Sequence, residues 1–123
     1  YLMKAIPELL IVENDEMTLE ILTILLTKEN YHVTIAHDAN EAIAIAKEKK
    51  IDLAMVSIIV PPRSGFEVIK FFTTYQKDVP VVVLSTLAEE ENTVEESFLL
   101  GVADFIAKPF NPNELLLRIK RLL

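Results

Sequence analysis

The sequence predicts a single α/β domain of the doubly wound class, in which five parallel strands alternate with five helices. Five short apolar runs recur at intervals of about 22 residues, and each is too short to form a helix. Apolar residues on both faces of a run are typical of strands that are buried on both sides of a parallel sheet. Segments of helical length separate the runs, so the crossovers should be right-handed and should cover both faces of the sheet.

The apolar runs give the predicted strands in chain order. They are Leu9-Leu10-Ile11-Val12, Val33-Thr34-Ile35-Ala36, Leu53-Ala54-Met55-Val56, Val81-Val82-Val83-Leu84 and Phe105-Ile106-Ala107. No repeat, linker or low-complexity stretch interrupts the pattern. The whole chain, 1–123, is therefore predicted to form one domain.

Three predicted helices begin with residues that suit an N-terminal cap. Asp38 followed by Glu41, and Ser64 followed by Glu67, have the spacing of a capping box. Asn111 stands before a proline at the first helical position, where a missing N–H costs nothing. We therefore expect helices to begin after residues 38, 64 and 111.

Helix ends and an acidic run complete the helical pattern. Asn30 and Gly101 stand where helices should end, and both tolerate a left-handed backbone conformation. The predicted fourth helix begins with acidic residues that suit the positive end of the helix dipole. These residues are Glu89, Glu90, Glu91, Glu95 and Glu96.

Composition and charge exclude several classes of function. Hydrophobic residues make up 51% and charged residues 25%, an ordinary mix for a globular domain. The formal net charge of −7 argues against nucleic-acid binding by this domain, because such binding needs a basic surface. Without cysteine the chain has no disulfide, thiolate nucleophile or cysteine zinc site. No run approaches the ~20 apolar residues that cross a bilayer, so we expect a cytoplasmic domain with no membrane partner.

Polar residues stand at the carboxyl ends of the predicted strands, where ligands bind in doubly wound folds. Glu13 and Asn14 follow the first strand, Ser57 the third, Ser85 the fourth and Lys108 the fifth. A nucleotide site is not favoured, because phosphate-binding loops need several glycines and the chain has only two. The acids after the first strand would also repel a phosphate.

Taken together, these segments resemble the receiver domain of two-component response regulators over residues 8 to 123. The motifs that carry the resemblance lie in the same order as in that family. They are Leu9-Leu10-Ile11-Val12-Glu13-Asn14-Asp15-Glu16, Asp52-Leu53-Ala54-Met55-Val56-Ser57 with Pro61 and Gly65, Pro80-Val81-Val82-Val83-Leu84-Ser85, and Gly101-Val102-Ala103-Asp104-Phe105-Ile106-Ala107-Lys108-Pro109-Phe110.

The resemblance implies a flavodoxin-like fold with strand order 2-1-3-4-5 and a cis bond before Pro109. It also implies a site in which an acidic pair, an acceptor aspartate and a backbone carbonyl hold magnesium. A hydroxyl residue and a lysine contact the phosphoryl group, and an aromatic residue changes its packing. By position, these residues are Glu13 and Asn14, Ser57, Ile59 through its carbonyl, Ser85, Lys108 and Phe105.

The chain departs from the family at two of the three carboxylate positions, which hold Asn14 and Ser57. Magnesium prefers hard, charged oxygen ligands, so we expect no cofactor, or at most weak magnesium binding. Glu13 and Lys108 can neutralise each other without a metal. We predict that this pair holds the site closed.

Ser57 also lacks the chemistry of the phosphorylated aspartate. A serine hydroxyl needs an adjacent base before it becomes a nucleophile, and the nearest candidates are Glu13 and Asp15. The favoured interpretation of Ser57 is a small polar residue that satisfies nearby backbone. It is either natural or an engineered replacement of aspartate, and the second loss at Asn14 favours the natural origin.

Simpler structural roles are predicted for other residues of interest. Ser85 suits a turn or helix start as well as a phosphate contact, and Phe105 is predicted to be mainly a core residue. His32 and His37 flank the second strand, and we predict that they lie on the surface, away from the other polar groups. Cap or turn roles are predicted for Asp38, Asp52, Asp78 and Asp104, with Asp52 at the opposite end of its strand from the site.

We interpret the chain as a receiver-like, non-enzymatic module that works without aspartyl phosphorylation. It would act by binding a signalling partner, for which a histidine kinase is one candidate, or through an attached output domain. A phosphotransfer receiver with an unusual acceptor and a small-ligand sensor remain alternatives. The exposed Leu117 suggests a homodimer through the predicted fourth and fifth helices. Glu95 or Glu96 of one copy would then meet Arg118 or Arg121 of the other.

Overall fold

The computed structural model describes residues 5–60, 63–86 and 100–123 of the chain. Within these residues, seven strands and four helices follow one another. They are β1 Glu8–Val12, α1 Glu16–Lys28, β2 His32–Ala36, α2 Ala39–Glu48, β3 Leu53–Ser57, β4 Ile59–Val60, β5 Arg63–Ser64, α3 Gly65–Tyr75, β6 Val81–Thr86, β7 Asp104–Lys108 and α4 Pro112–Leu122.

Five of the strands form one parallel sheet in the order β2-β1-β3-β6-β7. This order is the predicted 2-1-3-4-5 once β4 and β5 are set aside. These two short strands form a separate antiparallel pair, in which Ile59 lies opposite Ser64. Neither of these short strands is among the five that the sequence predicts. The α/β class, the parallel sheet and the strand order are confirmed.

The sheet is buried on both faces because neighbouring residues of each strand point to opposite sides. On one face, Leu10, Val56 and Val83 pack with the buried sides of α2 and α3. On the other face, Leu9, Met55 and Leu84 pack with the buried sides of α1 and α4. Every residue of the central strand β3 is buried. This two-sided burial holds the strand ends, and the polar residues that follow them, in fixed positions.

Two of the three predicted helix caps are present as hydrogen bonds. The Asp38 side chain accepts from the N–H of Glu41 at 2.8 Å, and Asn111 accepts from the N–H of Glu114 at 3.0 Å. The prediction was wrong for Ser64, whose side chain makes no cap hydrogen bond. The helix nevertheless begins directly after it, because its position is fixed by packing rather than by the cap.

The predicted helix end at Asn30 is confirmed, since α1 ends at Lys28 and Asn30 has a φ angle of +64°. Gly101 has the predicted left-handed conformation, with a φ angle of +89°, but the helix predicted before it lies outside the described residues. The acidic run of the predicted fourth helix lies outside the described residues, so the C-terminal helix is α4 here. In the part of the chain that the structure describes, no helix has the length and apolar character needed to span a bilayer.

Candidate functional site

Three predicted site residues meet at the carboxyl edge of the sheet. Glu13 follows β1, Ser57 ends β3 and Lys108 ends β7. The Ser57 hydroxyl donates to Glu13 Oε1 at 2.8 Å, and Lys108 Nζ donates to the same oxygen at 2.5 Å. These contacts join the ends of three strands through a single carboxylate, which we call the Glu13 cluster.

The second oxygen of Glu13 is also fully engaged. Glu13 Oε2 accepts from the backbone N–H groups of Asn14 at 2.9 Å and Asp15 at 3.3 Å. The Glu13 side chain is only 3% exposed, and the Lys108 side chain is 20% exposed. A carboxylate oxygen accepts about two hydrogen bonds, so four donors leave Glu13 no free acceptor site. One buried negative charge is thus balanced inside the protein by one partly buried positive charge.

Of the two acids predicted as bases for Ser57, only Glu13 contacts its hydroxyl. Asp15 instead caps α1, where it accepts from the backbone N–H of Thr18 at 2.9 Å and from the Thr18 hydroxyl at 2.6 Å. The side-chain bond from Thr18, followed by the backbone bond, lowers the pKa of Asp15 from its usual value. Asp15 is therefore ionised and committed to the helix start. Ser57 itself is buried, with 3% exposure.

The other positions implied for a metal add no charged side chain to the Glu13 cluster. Asn14 is exposed, and its backbone N–H donates to Glu13 Oε2. Ile59 lies in β4 with its side chain 60% exposed. Within the described residues, no group of three or more histidine, aspartate or glutamate side chains is arranged to hold a metal ion.

Ser85 and Phe105 occupy the sheet rather than a loop. Ser85 is fully buried within β6, opposite Ala107 of β7, and its hydroxyl donates to the carbonyl of Thr86 at 3.1 Å. The predicted turn or helix-start role of Ser85 is therefore wrong, because the strand continues through the next residue. Phe105 is half-buried and packs against the core on the α2 and α3 face, as predicted.

Comparison with known protein families assigns the chain. The profile of the response regulator receiver domain matches residues 9–120. The chain belongs to the receiver domain family. Receiver domains are modules of two-component signalling, and the α/β sheet with its strand-end site agrees with that assignment.

Individual relatives of this receiver domain support the same family. It is 34% identical to the transcriptional regulatory protein ResD of Bacillus subtilis over 94% of the chain and 48% of ResD. It is 36% identical to response regulator RR06 of Streptococcus pneumoniae over 94% of the chain and 52% of RR06. The solved chemotaxis protein CheY4 of Vibrio cholerae superposes with a TM-score of 0.88 at 28% identity, covering 97% of this chain and all of CheY4 (100%). The chain thus spans about half the length of the curated relatives it matches.

The peptide bond between Lys108 and Pro109 is cis in this receiver domain, as the resemblance implied. Asp52 lies at the other end of β3 from Ser57, where its carboxylate accepts from the N–H of Glu8 at 2.7 Å. It is therefore not placed to act as an acceptor at the strand-end site.

The prediction for the histidines was wrong in one respect. Both are exposed, with side-chain exposures of 65% for His32 and 53% for His37. However, His37 is not remote from polar groups, because its ring nitrogens lie 3.8 Å from Glu16 and 3.7 Å from Glu41. The cause is that β2 ends at the same edge of the sheet as β1.

An ion-pair network at the start of β7 was not predicted. Arg118 of α4 donates to both oxygens of Asp104, at 2.8 and 3.0 Å, and also to Glu114 at 3.0 Å. Arg121 donates to Asp104 at 3.2 Å. The hydrogen bonds that Arg118 donates to Asp104, and then the bond to Glu114, raise the pKa of Arg118. The spacing of Glu114 and Arg118 by four residues was a signal for part of this network.

Gly65, the first residue of α3, lets the helix start lie close to the backbone at the end of β3. The sequence indicated Gly65 only as part of the receiver motif. Its N–H donates to the carbonyl of Ile58 at 2.7 Å. A Cβ at this position would lie 2.1 Å from the backbone oxygen of Ser57, so only glycine fits.

We expect Gly65→Ala to lower the free energy of unfolding by about 1–3 kcal/mol, because the backbone of Ser57 has to move away from the new methyl group. Urea titration would measure the change. Gly101→Ala is the matched control, since its nearest neighbour, Thr73, would lie 3.9 Å from the new Cβ and only the backbone conformation is strained. A loss for Gly65→Ala of less than about 0.5 kcal/mol, the range of an ordinary surface substitution, would contradict the role of close packing at Gly65.

Proposed function

We propose that this receiver domain signals without phosphorylation of an aspartate, through contacts with a partner protein or an attached output domain. The observation that carries the proposal is the Glu13 cluster. Its single carboxylate is neutralised by Lys108 and hydrogen-bonded by Ser57, so the strand-end site is complete without a metal or a phosphoryl group. No enzymatic turnover is expected from such a site.

The residues do not fit a magnesium ion. Asn14 and Ser57 offer neutral oxygens, whereas the ion prefers charged oxygen ligands and gives up its waters reluctantly. Glu13 is the one acid at the three positions, and both of its oxygens already accept two hydrogen bonds. Binding a metal there would require Lys108 and two backbone N–H groups to lose their partner.

Ser57 is also poorly suited to attack a phosphoryl group. Its hydroxyl does contact a carboxylate, which is the feature that favours the alternative of phosphotransfer to an unusual acceptor. However, Glu13 also pairs with Lys108 and accepts from two backbone N–H groups, so transfer of the Ser57 proton to Glu13 would break up this ion pair. The Ser57 hydroxyl is also nearly inaccessible to a phosphoryl donor, because the residue is buried.

Contacts with other proteins are supported by exposed apolar side chains on α1. Met17, Ile21 and Ile24 are 71%, 43% and 51% exposed and recur at the spacing of one helix face. The proposed partner is a signalling protein, such as a histidine kinase, or an attached output domain. The second possibility is considered because the chain matches only about half the length of ResD and RR06. ResD is named a transcriptional regulatory protein, so an attached output domain that acts in transcription is one proposal.

The test compares the protein with and without magnesium and beryllofluoride, or with acetyl phosphate. We expect no change in the backbone amide shifts of Ser85, Phe105 and Lys108, and no mass increase, because the cleft can neither hold the ion nor supply a nucleophile. Saturable shifts at these residues, or a phosphoryl adduct on Ser57, would favour the phosphotransfer alternative. Shifts with a small metabolite but not with beryllofluoride would favour the ligand-sensor alternative.

The homodimer stays a prediction. Leu117 of α4 is 68% exposed, as expected for a contact residue. Arg118 and Arg121 already bind Asp104 within the same chain, so carboxylates from a second copy would compete with that ion pair. We expect the dimer mass in analytical ultracentrifugation at high micromolar concentration, and Leu117→Glu should shift the mass to that of a monomer. A monomer throughout would rule out the dimer.

A further inference from the structure

A ladder of three aromatic rings leads from the core to the surface on α3. Phe72 is fully buried, and its ring centroid lies 5.5 Å from that of the half-buried Phe71 in an edge-to-face arrangement. Phe71 in turn lies 5.5 Å from Tyr75. Tyr75 is 75% exposed, more than any other large hydrophobic side chain among the described residues. Phe71 and Phe72 thus hold one side of the Tyr75 ring in place. The other side of this ring has no aromatic partner within the described residues.

Tyr75 stands beside a groove between α2 and α3, which we call the α2–α3 groove. Lys47 of α2 lines one side, and Phe71, Tyr75 and Gln76 line the other, around a volume of about 480 Å³. The Gln76 amide donates to the carbonyl of Ala46 at 2.9 Å, which ties the ends of the two helices together. Because its walls are tied, the groove is preorganised and loses little conformational entropy when it is filled.

The groove and its extensions carry positive charge on an acidic chain. Lys47, Lys50, Lys70 and Lys77 line them, with Glu48, Glu67 and Asp78 as their acidic neighbours. Two further charged residues there are engaged elsewhere, since Lys49 pairs with Glu8 at 3.3 Å and the Asp52 carboxylate accepts from the Glu8 N–H. Four lysines against three acids leave a local excess of one positive charge, whereas the chain as a whole carries −7.

Helix ends alone do not account for this surface. Lysine in the last turn of α2 complements the negative end of its dipole, which explains Lys47 in part. It does not explain an exposed tyrosine whose ring lies in tilted contact with the half-buried ring of Phe71, with 5.5 Å between the ring centroids. Tyrosine is among the residues that contribute most binding energy at protein interfaces, because it offers a large, rigid surface at low entropic cost.

We propose that the α2–α3 groove binds a short acidic segment of a partner protein, with one aromatic side chain of that segment packed against Tyr75 and its carboxylates beside the lysines. A nucleic acid is a poor occupant, because its long phosphate chain would extend past the lysines over a protein whose net charge is −7, whereas a short acidic segment meets only the lysine-lined surface. This inference names a partner surface and so rests on the proposed function. It does not depend on the Glu13 cluster, which lies at the strand ends.

The probe is an acetylated and amidated Glu-Glu-Trp-Glu-Glu peptide. The chain has no tryptophan, so the peptide supplies the only indole fluorescence. We expect saturable binding that weakens with salt, with amide shifts centred on Lys47, Tyr75 and Gln76. Tyr75→Ala should weaken the peptide Kd about tenfold, the loss typical of an interface anchor, and Lys47→Glu should also weaken it.

Controls separate the groove from general charge effects. Ile6→Ala removes an exposed apolar side chain outside the groove and should leave the peptide Kd unchanged. A Lys-Lys-Trp-Lys-Lys peptide should not bind. The proposal would be overturned if the acidic peptide showed no saturable binding, or if the basic peptide bound equally well. It would also be overturned if Tyr75→Ala left the peptide Kd unchanged, or if the amide shifts in the groove followed protein concentration without any peptide. A cleft response to beryllofluoride with normal peptide binding would overturn only the proposed function.

Discussion

Replacing Lys108 with methionine should lower the free energy of unfolding by about 3 kcal/mol, the cost of leaving a buried carboxylate without its cation. Glu13 is 3% exposed and cannot turn to water without breaking its bonds to Ser57 and the backbone. Methionine keeps much of the volume of lysine, so the loss reports charge rather than packing. Chemical denaturation followed by circular dichroism measures it.

A double-mutant cycle separates the ion pair from other effects of the substitution. With Glu13→Gln present, Lys108→Met should cost at least about 1 kcal/mol less than it does alone, because the two side chains interact directly. Lys120→Met is the matched control, since Lys120 is exposed on α4 and its loss should stay within about 0.5 kcal/mol. If Lys108→Met matched this control, the Glu13 cluster would be only a surface contact.

The fold followed from the sequence where burial determines the pattern. The strand β3 is buried on both faces, and its continuous apolar run predicted it to within one residue. The end of β6 was missed by two residues, because Ser85 and Thr86 are polar and their pairing with β7 is not visible in a local pattern. The pair β4 and β5 was missed for a related reason: Ile59 is exposed, and two-residue strands have no periodicity to recognise.

The site followed from the sequence only as far as strand ends determine it. Opposite charges at one edge of the sheet predicted that Glu13 meets Lys108, and the two are in contact. The choice between Glu13 and Asp15 as the partner of Ser57 depended on side-chain direction. Thr18 sets that direction, because its N–H and hydroxyl hold the Asp15 side chain at the start of α1. The prediction considered only which residues follow the strands, so it did not foresee that Asp15 would serve as a helix cap.

The combined substitutions Asn14→Asp and Ser57→Asp should create magnesium binding in this receiver domain. They place three carboxylates where the natural chain has one, and Lys108 alone cannot neutralise them. Without metal, the variant should be less stable than the natural chain because of repulsion among the acids. With a Kd of about 1 mM, 10 mM magnesium should return about 1.4 kcal/mol, or roughly 5 °C in Tm.

Thermal unfolding with and without magnesium measures this effect, and the magnesium-dependent change in Tm is expected to be absent in the natural chain. The variant Asn14→Asp with Ser57→Asn is the matched control, because asparagine has the size of aspartate without its charge. The variant Ser57→Asp alone tests whether Asn14 by itself prevents magnesium binding.

If magnesium stabilised the unsubstituted chain as much as the doubly acidic variant, charge at these positions would not decide metal binding. The interpretation of the Glu13 cluster as a closed, metal-free site would then be wrong. If the acidic variant bound magnesium and gained a beryllofluoride response at Phe105 and Lys108, the two side chains Asn14 and Ser57 would account for the proposed absence of phosphorylation chemistry in this receiver domain.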